Sequence, residues 1–247
     1  PQGVTIKNGH VSYEAGRYYV SVTAEIDETS RYNNDLEASY HPQSDGIGVD
    51  LGIKSLAIVS DGRIFENINT SSRARRLEKR LRREQRRLSR KYEMRKRKGG
   101  STATASANIA KKKLSVQKLH QRLANLRRNH ENQVIHALVE QKPRFITVED
   151  LNVTGMIKNR HLSKAVSEQR FYSFREKLRR KAEIIGIEFR IADRFYPSSK
   201  TCHACGHVHS GLKLKDRVYV CPACGYTEDR DLNAALNLRD TKNYRIA

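Results

Sequence analysis

The stretch Gly46-Ile-Gly-Val-Asp-Leu-Gly-Ile-Lys-Ser-Leu-Ala-Ile-Val-Ser-Asp-Gly-Arg-Ile-Phe65 decides the fold of this 247-residue chain. Its two aliphatic runs, Ile47–Leu51 and 56–60, predict two strands, and Asp61-Gly62 predicts a tight turn into a third, short strand. Asp50 is the only charged residue in the first strand. A buried carboxylate needs a cation, hydrogen-bond donors or a metal ion beside it, unless it simply caps the turn that follows.

The composition points to a polyanionic partner. Lys and Arg outnumber Asp and Glu by 48 to 27, which gives a formal net charge of +21. Nucleic acid is the simplest such partner, and a membrane surface is the weaker alternative. No apolar run approaches the ~20 residues of a spanning helix, and no signal peptide is present, so we expect a soluble, cytoplasmic, nucleoid-associated protein that is not exported. The chain begins at Pro1 rather than Met, so we expect an N-terminal portion to be missing from it.

The positive charge is concentrated in helical segments. Residues 73–98 hold fifteen Lys or Arg and three Glu, with leucines at helical spacing, and a second apolar-striped helix is predicted over 108–141. The two predict an antiparallel helical hairpin that contacts phosphates, although a solvated coiled coil is the simpler alternative. A third, basic helix is predicted over 167–186. The nucleic-acid-binding candidates from these segments and the loop at 200 are Arg76, Arg80, Arg83, Arg87, Arg170, Lys177 and Lys200.

Two further acids lie at the ends of predicted elements. Glu149 ends a predicted buried strand over 144–149, and Asp231 or Asp229 begins an Ala- and Leu-rich helix. Taken alone, Glu149 reads as a solvent-facing carboxylate and either aspartate as a helix N-cap. If these acids converge with Asp50, they form a ligand set for two divalent ions, Mg²⁺ or Mn²⁺, of the kind that hydrolyses phosphodiesters.

All four cysteines lie in two Cys-x-x-Cys pairs. Cys202-His-Ala-Cys205 and Cys221-Pro-Ala-Cys224 are separated by fifteen residues, a spacing typical of a four-thiolate zinc ribbon. Such a site is structural because it leaves no open position for a substrate. A ligand set that includes a nearby histidine stays open, and a redox role is less favoured because no βαβ context surrounds the pairs.

The start of the chain predicts a β-hairpin. Residues 18–26 alternate in polarity and pair with 9–13, as in the last hairpin of a β-rich domain. The polar segment 31–44 reads as a linker, since it holds Asn33-Asn34 and Pro42.

Four ordered motifs resemble those of the TnpB family, the transposon-encoded, RNA-guided nucleases similar to type V CRISPR effectors. They are Gly46-Ile-Gly-Val-Asp-Leu-Gly52, Val148-Glu-Asp-Leu-Asn-Val-Thr-Gly-Met156, Tyr196-Pro-Ser-Ser-Lys-Thr-Cys-His-Ala-Cys-Gly206 and Cys221-Pro-Ala-Cys-Gly-Tyr-Thr-Glu-Asp-Arg-Asp-Leu-Asn-Ala-Ala-Leu-Asn-Leu238. The resemblance implies an α/β, RNase H-like (RuvC) core with Asp50, Glu149 and Asp231 as the catalytic, Mg²⁺-binding triad. It favours Asp231 over Asp229, because the family places its acid two residues before Asn-Ala-Ala.

The resemblance also implies the domain plan and the partners. Residues 1–44 correspond to the end of a wedge-like β-barrel and a linker, and 45–240 to the nuclease domain. Within the latter lie a helical insertion at 70–142 and the zinc ribbon at 196–228, and 241–247 form a tail. The partners implied are a guide RNA derived from the transposon end and target DNA. A non-catalytic RNA- or DNA-binding protein and an RNase H-like DNA-strand transferase remain as alternatives, and the oligomeric state is left open.

Overall fold

The computed structural model describes residues 4–26, 42–97, 103–213 and 215–247. Most of the predicted linker lies outside the described residues. The described parts form two compact units, one from within 1–32 and 68–130 and the other from within 33–67 and 131–247. Among the described residues, no helix is both long and apolar enough to cross a membrane.

The first unit combines a hairpin with two long helices. Strands β1 (Val4–Glu14) and β2 (Arg17–Ile26) pair antiparallel, so the predicted hairpin is confirmed. A short 3-10 helix (Ile68–Thr70) leads into α1 (Ser72–Arg97), and α2 spans Ala103–Glu140. Two salt bridges between the helices show their relative direction. Glu78 of α1 pairs with Arg127 of α2, whereas Glu84, further along α1, pairs with Lys112, which comes earlier in α2. The predicted antiparallel pairing is therefore present, and its apolar contacts come from Leu81, Val116, Leu119 and Leu123.

The second unit is built on a six-stranded mixed sheet. Its strands are β3 (Ile47–Leu51), β4 (Ser55–Val59), β5 (Ile64–Glu66), β6 (Phe145–Val148), β7 (Glu188–Ala192) and β10 (Tyr244–Ile246), in the order β10-β7-β6-β3-β4-β5. β3, β6 and β7 run parallel, and the other pairs are antiparallel. The predicted strands at 47–51, 56–60 and 144–149 are confirmed to within a residue or two. Residues 244–246 pair with β7, where the sequence predicted only a tail.

The two faces of β3 have different roles. Ile47, Val49 and Leu51 join the main apolar core, which also receives the last turns of α2 and the helix at 171–184. Side chains alternate along a strand, so Gly48 and Asp50 share the opposite face. There the C-terminal helix α6 (Arg230–Asp240) lies so close that a Cβ on Gly48 would stand 2.0 Å from the carbonyl oxygen of Ala235. Only glycine permits this approach.

The helix predicted over 167–186 is wrong in one respect, because two helices replace it. After the short helix α3 (Val153–Lys158), α4 (Ser163–Gln169) ends at Arg170, whose φ of +58° breaks the run, and α5 (Phe171–Ile184) begins directly after it. The break turns the Gln169 amide toward β3, where it donates to the carbonyls of Gly52 and Ile53 at 3.0 and 3.2 Å. The apolar repeat begins only at Phe171, so periodicity could not reveal the break.

Between β7 and α6 the chain forms a small, separate β-ribbon. Strands β8 (Val218–Val220) and β9 (Thr227–Asp229) pair antiparallel beside the cysteine pairs. Tyr219 is fully buried and packs with Cys202 and Cys221. The ribbon leads directly into α6 and therefore sets where that helix begins.

Candidate active site and cysteine cluster

Asp50 is the penultimate residue of β3, and Glu149 directly follows the neighbouring parallel strand β6. Val49 of β3 is in register with Val148 of β6, so the next residues along the two strands are Asp50 and Glu149. Val49 and Val148 both belong to the apolar core on the other face, and the alternation directs Asp50 and Glu149 to the α6 side. The strand register thus brings two of the three predicted acids side by side.

Two aspartates at the start of α6 have separate roles. Asp229 is the N-cap, and its Oδ1 accepts hydrogen bonds from the amides of Asp231 and Leu232 at 2.9 and 3.1 Å. The Asp231 carboxylate is instead paired with Arg230 at 2.7 Å and lies 3.6 Å from Arg217. The simple N-cap reading therefore applies to Asp229 and leaves Asp231 on the first turn for another role.

The three acids share one electrostatic environment. Desolvation raises the pKa of Asp50 well above its ordinary value; the negative charges of Glu149, Asp231 and, less strongly, Asp229 raise it further, and Arg230 partly opposes them. Desolvation also raises the pKa of Glu149, with Asp231 adding to the shift and a hydrogen bond from Ser198 opposing it. The pKa of Asp50 thus responds to Glu149 and Asp231, and the pKa of Glu149 responds to Asp231, as expected of carboxylates that lie near one another.

Neighbouring groups distinguish Glu149 from Asp150. Two arginines hold Asp150: Arg175 donates to Oδ1 at 2.8 Å and Arg194 to Oδ2 at 2.7 Å. Partial burial raises the pKa of Asp150, but these two arginines outweigh it and lower the pKa overall. Glu149 receives only a neutral donor, the Ser198 hydroxyl at 2.5 Å. Glu149 is therefore less fully neutralised by its partners.

The donor set of the three acids suits hard divalent cations, which prefer carboxylate oxygens. In the described part of the chain, no group of three or more acids, histidines or cysteines other than the four cysteines has all its ligand atoms within 4.8 Å of one another. Carboxylates around a pair of ions about 4 Å apart need not meet that limit, because they approach from different sides of the pair.

The four cysteines form a compact cluster that can hold a metal such as zinc. Their sulfur atoms lie within 4.8 Å of one another, with 3.7 Å between Cys202 and Cys224 and 3.6 Å between Cys205 and Cys221. Tetrahedral thiolates 2.3 Å from zinc would stand about 3.8 Å apart, so the spacing fits. Burial raises the pKa of Cys221, but the amides of Ala223 and Cys224 outweigh it and lower that pKa to about 6. The cluster is made of cysteines, without the neighbouring histidines.

Two buried asparagines, which the sequence analysis missed, join the ribbon to α6. Asn233 donates to the carbonyl of Thr201 at 2.8 Å and accepts from the amide of His203 at 3.1 Å. Asn237 donates to the carbonyls of Ser198 and Thr201 at 2.8 and 2.6 Å. Their spacing of four residues in an apolar helix was the available signal. Ser198 and Arg230 were also missed, since a single Ser or Arg carries no pattern of its own.

The predicted nucleic-acid-binding residues fall into two groups. Arg76, Arg80, Arg83 and Arg87 are exposed and recur every three or four residues on α1, and Lys200 is also exposed. Arg170 and Lys177 instead lie 3.8 and 2.8 Å from the buried carboxylate of Glu131. The α1 residues form an exposed basic stripe in which Arg87 also pairs with Glu84 at 2.9 Å, and Arg170 and Lys177 both pair with Glu131.

Comparison with known proteins places this chain in a defined family. A family model described as "Probable transposase" (OrfB_IS605) matches residues 21–160, and one described as the Cas12f1-like TNB domain matches residues 171–238. Together they define a transposon-associated protein with a Cas12f1-like C-terminal part. The chain belongs to the TnpB family, which confirms the resemblance carried by its four motifs.

Individual relatives agree with this assignment. A Streptomyces pristinaespiralis protein is 33% identical over 239 residues, covering 96% of this chain and 53% of the relative. Escherichia coli InsQ is 30% identical over 248 residues, covering 94% of this chain and 56% of InsQ. Both are named as predicted RNA-guided DNA endonucleases. The chain thus spans about half the length of these curated relatives.

A solved structure supports the α/β fold. The cryo-EM structure of a CRISPR-Cas12f ternary complex matches 99% of this chain and 46% of the solved chain, with a TM-score of 0.56 and 17% identity. The match supports the fold alone.

Proposed function

We propose that this chain is the nuclease core of an RNA-guided, divalent-metal-dependent DNA endonuclease. The observation that carries the proposal is the convergence of acids from separate parts of the chain on Asp50: the charges of Glu149 and Asp231 both raise its pKa, in addition to burial. Like charges at close range are unfavourable, and a protein keeps them together where cations or a reaction require it. The membership of the TnpB family and the names of the relatives point to the same activity.

In this proposal the second unit is an RNase H-like (RuvC) core with Asp50, Glu149 and Asp231 as its metal ligands. Bound there, two Mg²⁺ or Mn²⁺ ions would activate water and stabilise the leaving oxygen of a DNA phosphodiester. The chain's own residues fix the ligand positions. The β3–β6 register would set Asp50 beside Glu149, Ser198 would orient Glu149, and Arg230 and Arg217 would hold the Asp231 carboxylate, since Asp229 takes the N-cap role.

The cysteine cluster has a structural role in this proposal. Zinc held by Cys202, Cys205, Cys221 and Cys224 would fix the loop that ends at β9, from which α6 and Asp231 begin. Removing zinc should then abolish cleavage by unfolding this region rather than by removing a reacting group.

The exposed arginines of α1 are proposed to contact nucleic-acid phosphates. Arg76, Arg80, Arg83 and Arg87 present four positive charges on a helix that carries few acids, and such a surface gains affinity from counterion release. We assign the polyanions to a guide RNA from the transposon end and to target DNA. The domain plan derived from the resemblance, with a nuclease domain over 45–240, is part of this proposal.

The test is cleavage of end-labelled single-stranded and duplex DNA by the zinc-loaded chain in Mg²⁺ or Mn²⁺, with and without RNA that co-purifies. Asp50→Asn is the variant, and Asp61→Asn, in the exposed turn after β4, is the matched control. The proposal expects cleavage by wild type and Asp61→Asn and none by Asp50→Asn. Salt-sensitive binding with no cleavage by any variant would favour the non-catalytic binding protein, and joined DNA products would favour the strand transferase.

A further inference from the structure

Phe195 is the most exposed large hydrophobic side chain in the described part of the chain, at 88%. Isolated exposed apolar residues are common on protein surfaces, so exposure alone means little. Its surroundings make it informative, because it lies on an ordered turn beside a charged cleft and next to the candidate active site.

The backbone that carries Phe195 is well fixed. Its amide donates to Asp193 Oδ1 at 2.8 Å, and the amide of Tyr196 donates to the Asp193 carbonyl at 3.0 Å. The amide of Ser198 then donates to the Tyr196 carbonyl at 2.9 Å. A turn closed by three hydrogen bonds fixes the backbone from which the ring projects. A ligand that binds the ring therefore has to order the side chain but not the loop.

The ring borders a cleft of about 770 Å³ between the ends of β7 and β10. Its wall carries three exposed cations, Arg194, Lys242 and Arg245, against two acids, Asp150 and Asp193, and it also includes Tyr244. A volume of this size lies within the range of sites that hold one or a few small-molecule units. The combination of cations and an exposed aromatic ring is the one used to bind single-stranded nucleic acid, with phosphates on the cations and bases on the rings.

Short stretches of chain join the cleft to the catalytic candidates, although Glu149 itself does not line the cleft. Asp150, which lines the cleft, directly follows Glu149, and Arg194 of the same wall is bound to Asp150. Ser198, three residues after Phe195, donates to Glu149. The turn that presents Phe195 therefore also leads to a residue that positions one of the candidate metal ligands.

We propose that Phe195 is a stacking platform for one unpaired base of single-stranded DNA, whose flanking phosphates contact Arg194, Lys242 and Arg245. A base inside a duplex has both faces covered by its neighbours, so the platform selects a strand that has been separated from its complement. This inference rests on the proposed function, in which the strand is cut at the three carboxylates. It adds that Phe195 positions the strand for that cut.

The first experiment measures binding rather than cleavage. The zinc-loaded full chain is titrated, without added divalent cations, into a fluorescein-labelled 12-nucleotide single strand and into the matching duplex, and anisotropy is followed. Phe195→Ala is expected to weaken single-strand binding about tenfold, as loss of one base-stacking ring does, and to leave duplex binding unchanged. Phe195→Trp should restore wild-type affinity, whereas Phe195→Leu, which keeps an apolar side chain, should not.

Two controls separate stacking from other effects. Tyr18→Ala removes another exposed aromatic ring, 78% exposed on β2, and should leave single-strand affinity unchanged. Moving 2-aminopurine, a base whose fluorescence falls on stacking, along the oligonucleotide should reveal a quenched position with wild type that is lost with Phe195→Ala. Zinc content and circular dichroism verify that each variant is folded.

The outcomes keep this inference separate from the proposed function. Equal single-strand affinity of wild type and Phe195→Ala, or equal losses on single strand and duplex, would overturn the stacking platform even if wild type cleaves DNA. A selective loss with Phe195→Ala would support the platform even if no variant cleaves, which would reject the nuclease proposal alone.

Discussion

Gly48→Ala should both destabilise the second unit and displace Asp231 from Asp50. The added Cβ would lie 2.0 Å from the Ala235 carbonyl oxygen and 2.4 Å from the Arg239 amide nitrogen. An ordinary contact begins near 3.4 Å, so α6 must retreat by about 1.4 Å (3.4 − 2.0), and both obstructing atoms belong to backbone that cannot rotate away. Overpacking of this kind costs about 3 kcal/mol, at the upper end of the usual range.

The effect is measured by urea denaturation and by hydrogen exchange of peptides from β3 and α6. A loss of about 3 kcal/mol corresponds to a fall in Tm of roughly 6–12 °C for a unit of this size. Cleavage should fall about 100-fold, because a displacement of about 1 Å misplaces Asp231. Gly9→Ala is the control, since its nearest atom, the Ser21 carbonyl oxygen, lies 3.9 Å from the added Cβ. Wild-type exchange protection and cleavage in Gly48→Ala would refute the close-packing argument.

Three further predictions concern the site. The raised folded-state pKa of Asp50 means that the folded protein favours the protonated carboxyl group. The free energy of unfolding therefore falls as pH rises through that pKa. Asp50→Asn should therefore raise Tm at pH 7 in buffer without divalent cations, with a difference that disappears below pH ~4; an unchanged Tm at pH 7 would contradict it. Ser198→Ala removes the hydrogen bond that lowers the pKa of Glu149, so the acidic limb of the pH–rate profile should move to higher pH; an unmoved limb would exclude this role. Cys221→Ser should abolish stoichiometric zinc by elemental analysis and the exchange protection of residues 198–240, whereas His207→Ala retains both; zinc loss in His207→Ala would indicate a mixed ligand set.

The strands and the cysteine cluster were predictable because local patterns specify them. Ile47–Leu51 is a short, bounded apolar run, and its bounds agree with the structure. The spacing of the two Cys-x-x-Cys pairs predicted a cluster, and the structure brings all four sulfurs together. The proximity of Asp50 and Glu149 followed from family resemblance, because the parallel pairing of two strands so far apart in sequence is not visible in either strand alone.

Other features depend on tertiary contacts and left little or no signal in the local sequence. The helix break at Arg170 accompanies hydrogen bonds from Gln169 to the carbonyls of Gly52 and Ile53, a contact across more than a hundred residues that no local pattern reveals. The segment 244–246 is too short and polar to be predicted as a strand, yet it pairs with β7 at the edge of the sheet. Asn233 and Asn237 resemble ordinary helix-surface residues until the ribbon covers them.

The central claim is that Asp50, Glu149 and Asp231 act as one catalytic site, and single-turnover cleavage by single and double variants tests it most directly. Rates of wild type, Asp50→Asn, Asp231→Asn and the double variant are compared in Mg²⁺ at equal zinc content. Groups that act as a unit are strongly non-additive, so each single variant should lose nearly all activity and the double variant should lose no more. Independent, multiplicative losses, or a single variant that cleaves like wild type, would contradict the account.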